Sequence, residues 1–236
     1  AMGDLDRNTE SDGYRPPDPI GLPPIFAWPV RPIKSVKWLL VEFLFPWSFI
    51  FVGLAIVSWN FLTPEIESSG PPSLSFMGII WLKNCLLLTI LSGSLHWWLY
   101  SRAGQGTKFK FSRRWLSRTS SRFLWHNQVY DNVFWSLVSG VTVWSLFEAI
   151  TLWAWVSGII PKASWSVDTG YLIALTCVFF FASSSHFYLI HRVLHWKPLY
   201  RSVHELHHRN VNTGPWTGIS MHPVEHLLFF SMFFVW

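Results

Sequence analysis

The chain has 236 residues, 50% of them hydrophobic, 18% aromatic and only 13% charged, where ordinary globular domains carry about 25% charged residues. Mean hydropathy is +0.28 and the formal net charge is +5, a balance that excludes an ordinary water-soluble domain and reads as an integral membrane protein. No nucleic-acid partner is expected. The 17 tryptophans suit interfacial belts at span edges. Cys85 and Cys177 both sit in apolar runs, so no disulfide framework is indicated.

Residues 1–37 are a different material from the rest. They contain Pro16, Pro17, Pro19, Pro23, Pro24, Pro29 and Pro32 and little apolar periodicity, which predicts an extended arm. No charged-then-apolar start with a cleavage site is present, so the arm does not read as a signal peptide. Residues 38–236 read as one membrane-embedded domain.

Crossing the hydrocarbon core takes about 20 apolar residues. Four stretches qualify: Trp38–Leu62, with a kink expected at Pro46, then Leu74–Tyr100, Val133–Val156 and Tyr171–Ile190. A fifth apolar run begins near Leu227 and reaches Trp236, too short to span. The expected fold class is therefore all-α, an integral membrane protein with four transmembrane helices.

The loops set the expected orientation, because Lys and Arg are retained on the cytoplasmic side. Arg31, Lys34 and Lys37 precede the first span. The first loop has Glu65 and Glu67 and no base. The second carries Arg102, Lys108, Lys110, Arg113, Arg114, Arg118 and Arg122, the third only Lys162, and Arg192, Lys197, Arg201 and Arg209 follow the fourth span. Basic and non-basic loops alternate, so the N-terminus, the second loop and the region after the fourth span are expected to face the cytoplasm. The spans hold few polar groups, of which Glu42, Lys83, Asn84 and Glu148 stand out.

Eight of the ten histidines fall between His186 and His226. His191 and His195 (HRVLH) are four apart, His204, His207 and His208 (HELHH) follow at three and four, and His222 and His226 (HPVEH) are again four apart. Residues three and four apart share a helix face, and neutral imidazole suits iron, zinc, copper or nickel. Eight candidates exceed what one ion takes, so two metal ions are expected, in a histidine-rich helical cap on the cytoplasmic side. His186 is a candidate ligand, an orienting partner or a helix-face residue. His96 and His126 stand apart and are expected to be structural or interfacial.

The run from Ser183 to Ser231, with HRVLH, HELHH, the linking WKPLYRSVH and the following GPWTGISMHPVEH, resembles the fatty acid hydroxylase superfamily, in its sterol desaturase-like branch. The resemblance implies a non-haem di-iron oxidoreductase that uses O2 on unactivated C–H bonds of a sterol or fatty-acyl lipid, giving hydroxylation or desaturation. It implies iron ligation by His191, His195, His204, His207 and His208, with His222 and His226 next and His186 last. Glu205 and Glu225 are candidates to orient imidazoles by accepting their free N–H. Family members carry further histidines after the next membrane segment, so sequence continuing beyond Trp236 is expected.

Gly104 and Gly106 in AGQGTK do not make a nucleotide-binding turn, and no flavin, nicotinamide or iron–sulfur motif occurs. Electrons are therefore expected from a separate NAD(P)H-fed carrier such as cytochrome b5 or ferredoxin, with the basic stretch Arg102–Arg122 as a candidate dock beside its role in orientation. Trp135, Trp144, Trp153 and Trp155 are candidates to line a lipid groove or to face lipid. The expected compartment is the endoplasmic reticulum in a eukaryote or the inner membrane in a bacterium. A transporter or storage protein would place ligands near the midplane, and a bis-histidine haem protein would place single histidines on facing spans. A family member that has lost catalysis is the remaining alternative.

Overall fold

The structure, a computed structural model, describes residues 22–65, 70–108, 110, 112, 114–161, 163–164 and 166–232. Pro16, Pro17, Pro19, Glu67, Arg113, Lys162 and the end of the last apolar run, 233–236, fall outside them. Regular structure among the described residues is helical throughout. Three helices are long and apolar enough to cross a membrane, and a bent pair makes a fourth if it counts as one span.

Two compact units divide the chain. The first, residues 1–62 with 98–115, holds the bent pair, α1 (Pro32–Phe43) and α2 (Trp47–Leu62). Helix α1 begins inside the proline-rich arm because Pro32 occupies the first helical position, where its missing N–H costs nothing and its φ is preset. The axes of α1 and α2 meet at 52°, and the break falls at Pro46, whose ring and absent N–H interrupt the hydrogen-bond ladder. In the same unit the Lys110 ammonium stands 5.6 Å from the Tyr100 ring centre and 5.3 Å from that of Trp115, within cation–π range.

The second unit comprises residues 63–97 and 116–236. Helix α3 (Leu74–Ser101) is capped by Ser73, whose hydroxyl accepts from the Phe76 N–H at 3.2 Å. Helix α4 (Gln128–Val156) starts five residues before the apolar run that predicted it. The reason is Asn127, whose side-chain oxygen accepts from the N–H groups of Val129 (2.9 Å) and Tyr130 (3.3 Å) and so fixes the N-terminus. Helix α5 (Thr169–Leu194) runs past Ile190, which adds His191 to the candidate span helix that already holds His186.

Helix α4 is the centre of this unit. Of its most apolar window 44% is buried, against 17% for α3 and 6% for α5. Lys83 and Glu148 pair between α3 and α4. Asn84 joins them, donating to Ser145 Oγ at 3.0 Å and to Glu148 Oε2 at 2.7 Å, and the Trp81 indole donates to Thr142 Oγ1 at 3.1 Å. Three of the four polar residues noted in the spans thus form one buried knot. The tryptophans of α4 (135, 144, 153 and 155) are each half-buried, so packing accounts for part of every one of these rings.

The contiguous turns Lys197–Leu199, Tyr200–His204 and Glu205–His208 form α6, with Pro198 in its first turn. A loop and a short 3-10 turn, Thr217–Ile219, lead to α7 (Pro223–Phe230).

Candidate metal centre

Four histidines converge where α5 ends and α6 passes. His191 lies in the last turn of α5 and His195 caps it, while His204 and His208 lie four apart on α6. One ring nitrogen from each falls within 4.8 Å of the other three. Nε2 of His195 is 3.0 Å from Nε2 of His191, and Nε2 of His208 is 2.9 Å from Nε2 of His204. Two unprotonated ring nitrogens at such distances repel unless a proton or a metal cation stands between them. With metal–nitrogen bonds of about 2.0–2.1 Å, opposite ligands lie about 4.2 Å apart and adjacent ones closer, so small side-chain shifts from the 4.8 Å bound would let this donor set take a first-row ion.

His204 is the anchored member. Its side chain is fully buried, as is that of Glu225, and Glu225 Oε1 lies 2.9 Å from His204 Nδ1. Burial, followed by repulsion from His208, His191, His207 and His195, lowers the His204 pKa to about 3. Burial raises the Glu225 carboxyl to about 8. With the imidazole neutral, an Nδ1–H that donates to Glu225 Oε1 leaves the Nε2 lone pair for the cluster. Helix α7 supplies that carboxyl from 21 residues away in sequence. Glu205, the other candidate orienter, is exposed and makes no side-chain bond among the described residues.

His207 sits one residue from His208 and stacks on the His204 ring at 5.7 Å, its Nδ1 buried without a hydrogen-bond partner among the described residues. Burial, then His208 and His191, lowers its pKa. Burial also lowers His208, with His195 adding to it, and His222.

The remaining predicted residues are not brought into the group of four. His222 caps α7, its Nδ1 accepting from the Val224 N–H at 3.2 Å. His226 is buried, with Nδ1 2.8 Å from Ser139 Oγ and Nε2 3.1 Å from the Ile219 carbonyl. A carbonyl only accepts, so Nε2 carries the proton and the Ser139 hydroxyl donates to Nδ1. Burial lowers His226 to about 4, the Ile219 carbonyl opposing and His207 and His222 adding repulsion. His186 donates from Nε2 to the Leu228 carbonyl at 3.1 Å, tying α5 to α7.

An open cleft of about 590 Å³ lined by Tyr188, His191, Arg192, His195 and Trp196 reaches two of the four rings. The Tyr200 ring closes another side, 5.6 Å from His195 and His208 and 6.0 Å from His204. Sequence reasoning passed over Tyr200 and Ser139. Tyr200 stands four residues before His204, one helical turn away, and that spacing is a usable signal. Ser139 reaches His226 across 87 residues, and no local pattern marks it.

Residues 176–236 match the family model described as fatty acid hydroxylase. Over 61 residues the chain is 38% identical to the methylsterol monooxygenase erg25A of Aspergillus fumigatus, an alignment covering 26% of this chain and 20% of that protein. No solved structure matches. The matched stretch holds His186 and all seven other candidate histidines described above, and over residues 176–236 the chain is similar to the fatty acid hydroxylase superfamily.

Proposed function

We propose that this chain is a membrane non-haem di-iron oxidoreductase that hydroxylates or desaturates a sterol or fatty-acyl lipid with O2. The observation that carries the reading is the convergence of His191, His195, His204 and His208, with ligand atoms within 4.8 Å of one another, inside the superfamily-matched stretch. These four are proposed to hold one ion. His207 and His222 are the proposed donors to a second, joined by His226 once its Nδ1 is freed from the Ser139 hydroxyl, with His186 the remaining candidate. Iron at these positions would supply the O2-reducing chemistry that an unactivated C–H bond requires.

The chain's own residues do the rest. Glu225 holds His204 by Nδ1 and directs Nε2 to the cluster, the usual role of an outer carboxylate. Burial lowers the pKa of His204, His207 and His222, so these rings bind a cation without first losing a proton. The cleft beside Tyr188 and Trp196 opens at the end of a membrane helix, where a lipid chain has access. The cluster faces the cytoplasm in this reading, in the endoplasmic reticulum of a eukaryotic source. Electrons come from cytochrome b5 or a ferredoxin fed by NAD(P)H, docked on the basic stretch Arg102–Arg122.

The test is metal content and turnover of detergent-purified protein. About two ions per chain are expected, lost in His204→Ala with His208→Ala. With ¹⁸O2 and a reduced carrier, a labelled sterol alcohol or fatty-acyl alcohol is expected, or an alkene in the desaturase case. One ion or none, with no product from either lipid class, would sink the proposal in favour of a catalytically lapsed relative or a metal-binding membrane protein.

A further inference from the structure

The hydroxylase reading makes no use of one feature of α4. Gln128, Asp131, Asn132, Ser136 and Ser139 recur at helical spacing on one face of a helix apolar enough to span a membrane, and all five are buried. Polar groups on such a helix are costly unless each finds a partner. Here four find one in the connector that joins the histidines of α6 to those of α7, and Ser139 finds one on α7 itself.

Gln128 Nε2 donates to Asn210 Oδ1 at 3.1 Å and to the Asn212 carbonyl at 2.6 Å. Asp131 pairs with Arg209, directly after His208, and accepts from the Leu124 N–H at 3.1 Å. Asn132 donates to Thr217 Oγ1 at 3.2 Å and accepts from Ser220 Oγ at 3.1 Å. Ser136 donates to the Trp216 carbonyl at 2.9 Å, and Ser139 meets His226. Where α4 widens into a π-type turn, Trp135–Val141, Gly140 lets the connector close in. A Cβ there would lie 3.1 Å from His226 Nε2 and 3.2 Å from the Ile219 carbonyl.

We propose that this polar face of α4 is a template that fixes the path of the connector, and with it the separation of the two histidine helices, before any metal binds. These are positioning residues. Every bond above is made by protein groups alone, so the order they impose does not wait for an ion. Ser139 adds a finer role, because its hydroxyl donates to Nδ1 while the Ile219 carbonyl accepts from Nε2, and together they fix the His226 ring. The value of the template to catalysis rests on the metal-centre reading, whereas its structural content does not.

Hydrogen exchange read by mass spectrometry, on chelator-treated protein in detergent with and without Co²⁺, tests it. Amides 210–221 should be protected without metal. Asn132→Leu with Ser136→Ala should speed their exchange by roughly ten- to a hundredfold and weaken Co²⁺ binding, while Val138→Ser, on the exposed side of the same helix, should change neither. Ser136→Ala alone gives a milder version should the double variant fail to fold. A connector that exchanges freely until Co²⁺ is added would overturn the template, as would variants whose exchange matches wild type. Protection in a wild-type protein that binds no Co²⁺ would uphold the template and remove the metal centre instead.

Discussion

Glu225 Oε1 stands 2.9 Å from Nδ1 of His204, both side chains sealed from solvent, and this contact decides which nitrogen His204 presents to its neighbours. An Nδ1–H donating to this carboxyl leaves Nε2 with its lone pair, 2.9 Å from Nε2 of His208. In that tautomer the ring is ready to ligate a metal before one binds.

Removing that orientation should weaken metal binding without erasing it. Glu225→Ala is expected to lower affinity by about ten- to a hundredfold. Glu225→Gln, which keeps one hydrogen bond to Nδ1, should fall between it and wild type. Competition against a chromophoric chelator measures both, and equal affinities for all three proteins would show that the contact does not orient a ligand.

The group of four and the outlying histidines should separate by mutation. His195→Ala removes a donor whose Nε2 faces that of His191, so it should cost one ion per chain. His186→Ala removes a bond to the Leu228 carbonyl and is expected to lower stability by about 0.5–1.5 kcal/mol while leaving metal content unchanged. Elemental analysis and thermal unfolding distinguish the two. An ion lost with His186 would place that residue among the ligands.

Metal-free stability should depend on pH in two directions. Burial holds His204 at about 3 and His226 at about 4 against an ordinary 6.5, so between those values the unfolded chain binds more protons than the folded one. Stability therefore falls as pH drops below 6.5. Glu225 behaves oppositely. With its folded value raised to about 8 from 4.5, its contribution is complete below 4.5 and is lost as pH rises toward 8. Tm measured against pH should decline on both sides, and Glu225→Gln should flatten the alkaline side while steepening the acid side above pH 4.5. An alkaline decline that survives the substitution would mean another group causes it.

The knot between α3 and α4 should behave as a buried ion pair. Glu148→Leu leaves Lys83 buried and uncompensated and is expected to destabilise the fold by about 3–5 kcal/mol. Adding Lys83→Met should recover most of that, because removing both charges also removes the cost of burying them. If the double variant unfolds as readily as the single one, the pair holds the helices together by more than charge balance.

Residues near one another in sequence made their own relationships legible. Apolar runs of about 20 residues give helices by length alone, and the 52° bend at Pro46 follows from one ring. The three- and four-residue spacings of HRVLH and HELHH put imidazoles on shared helix faces, and the same spacings carried the superfamily resemblance. The start of α4 was misplaced because Gln128, Asp131 and Asn132 look like loop residues when only hydropathy is counted. Their partners, Asn210, Arg209 and Thr217, lie about 80 residues away.

What only the tertiary structure decided is which histidines meet and how each is turned. His207 and His208 are adjacent in sequence, yet His208 joins the group of four and His207 does not, because successive side chains on a helix point about 100° apart and only one faces the end of α5. Glu205 and Glu225 were equal candidates on paper. Glu225 alone reaches His204, because α7 folds back against α6 and buries its acid there. A sequence fixes spacing along one helix, whereas the rotation of one helix against another is set by packing and by buried polar groups that must find partners.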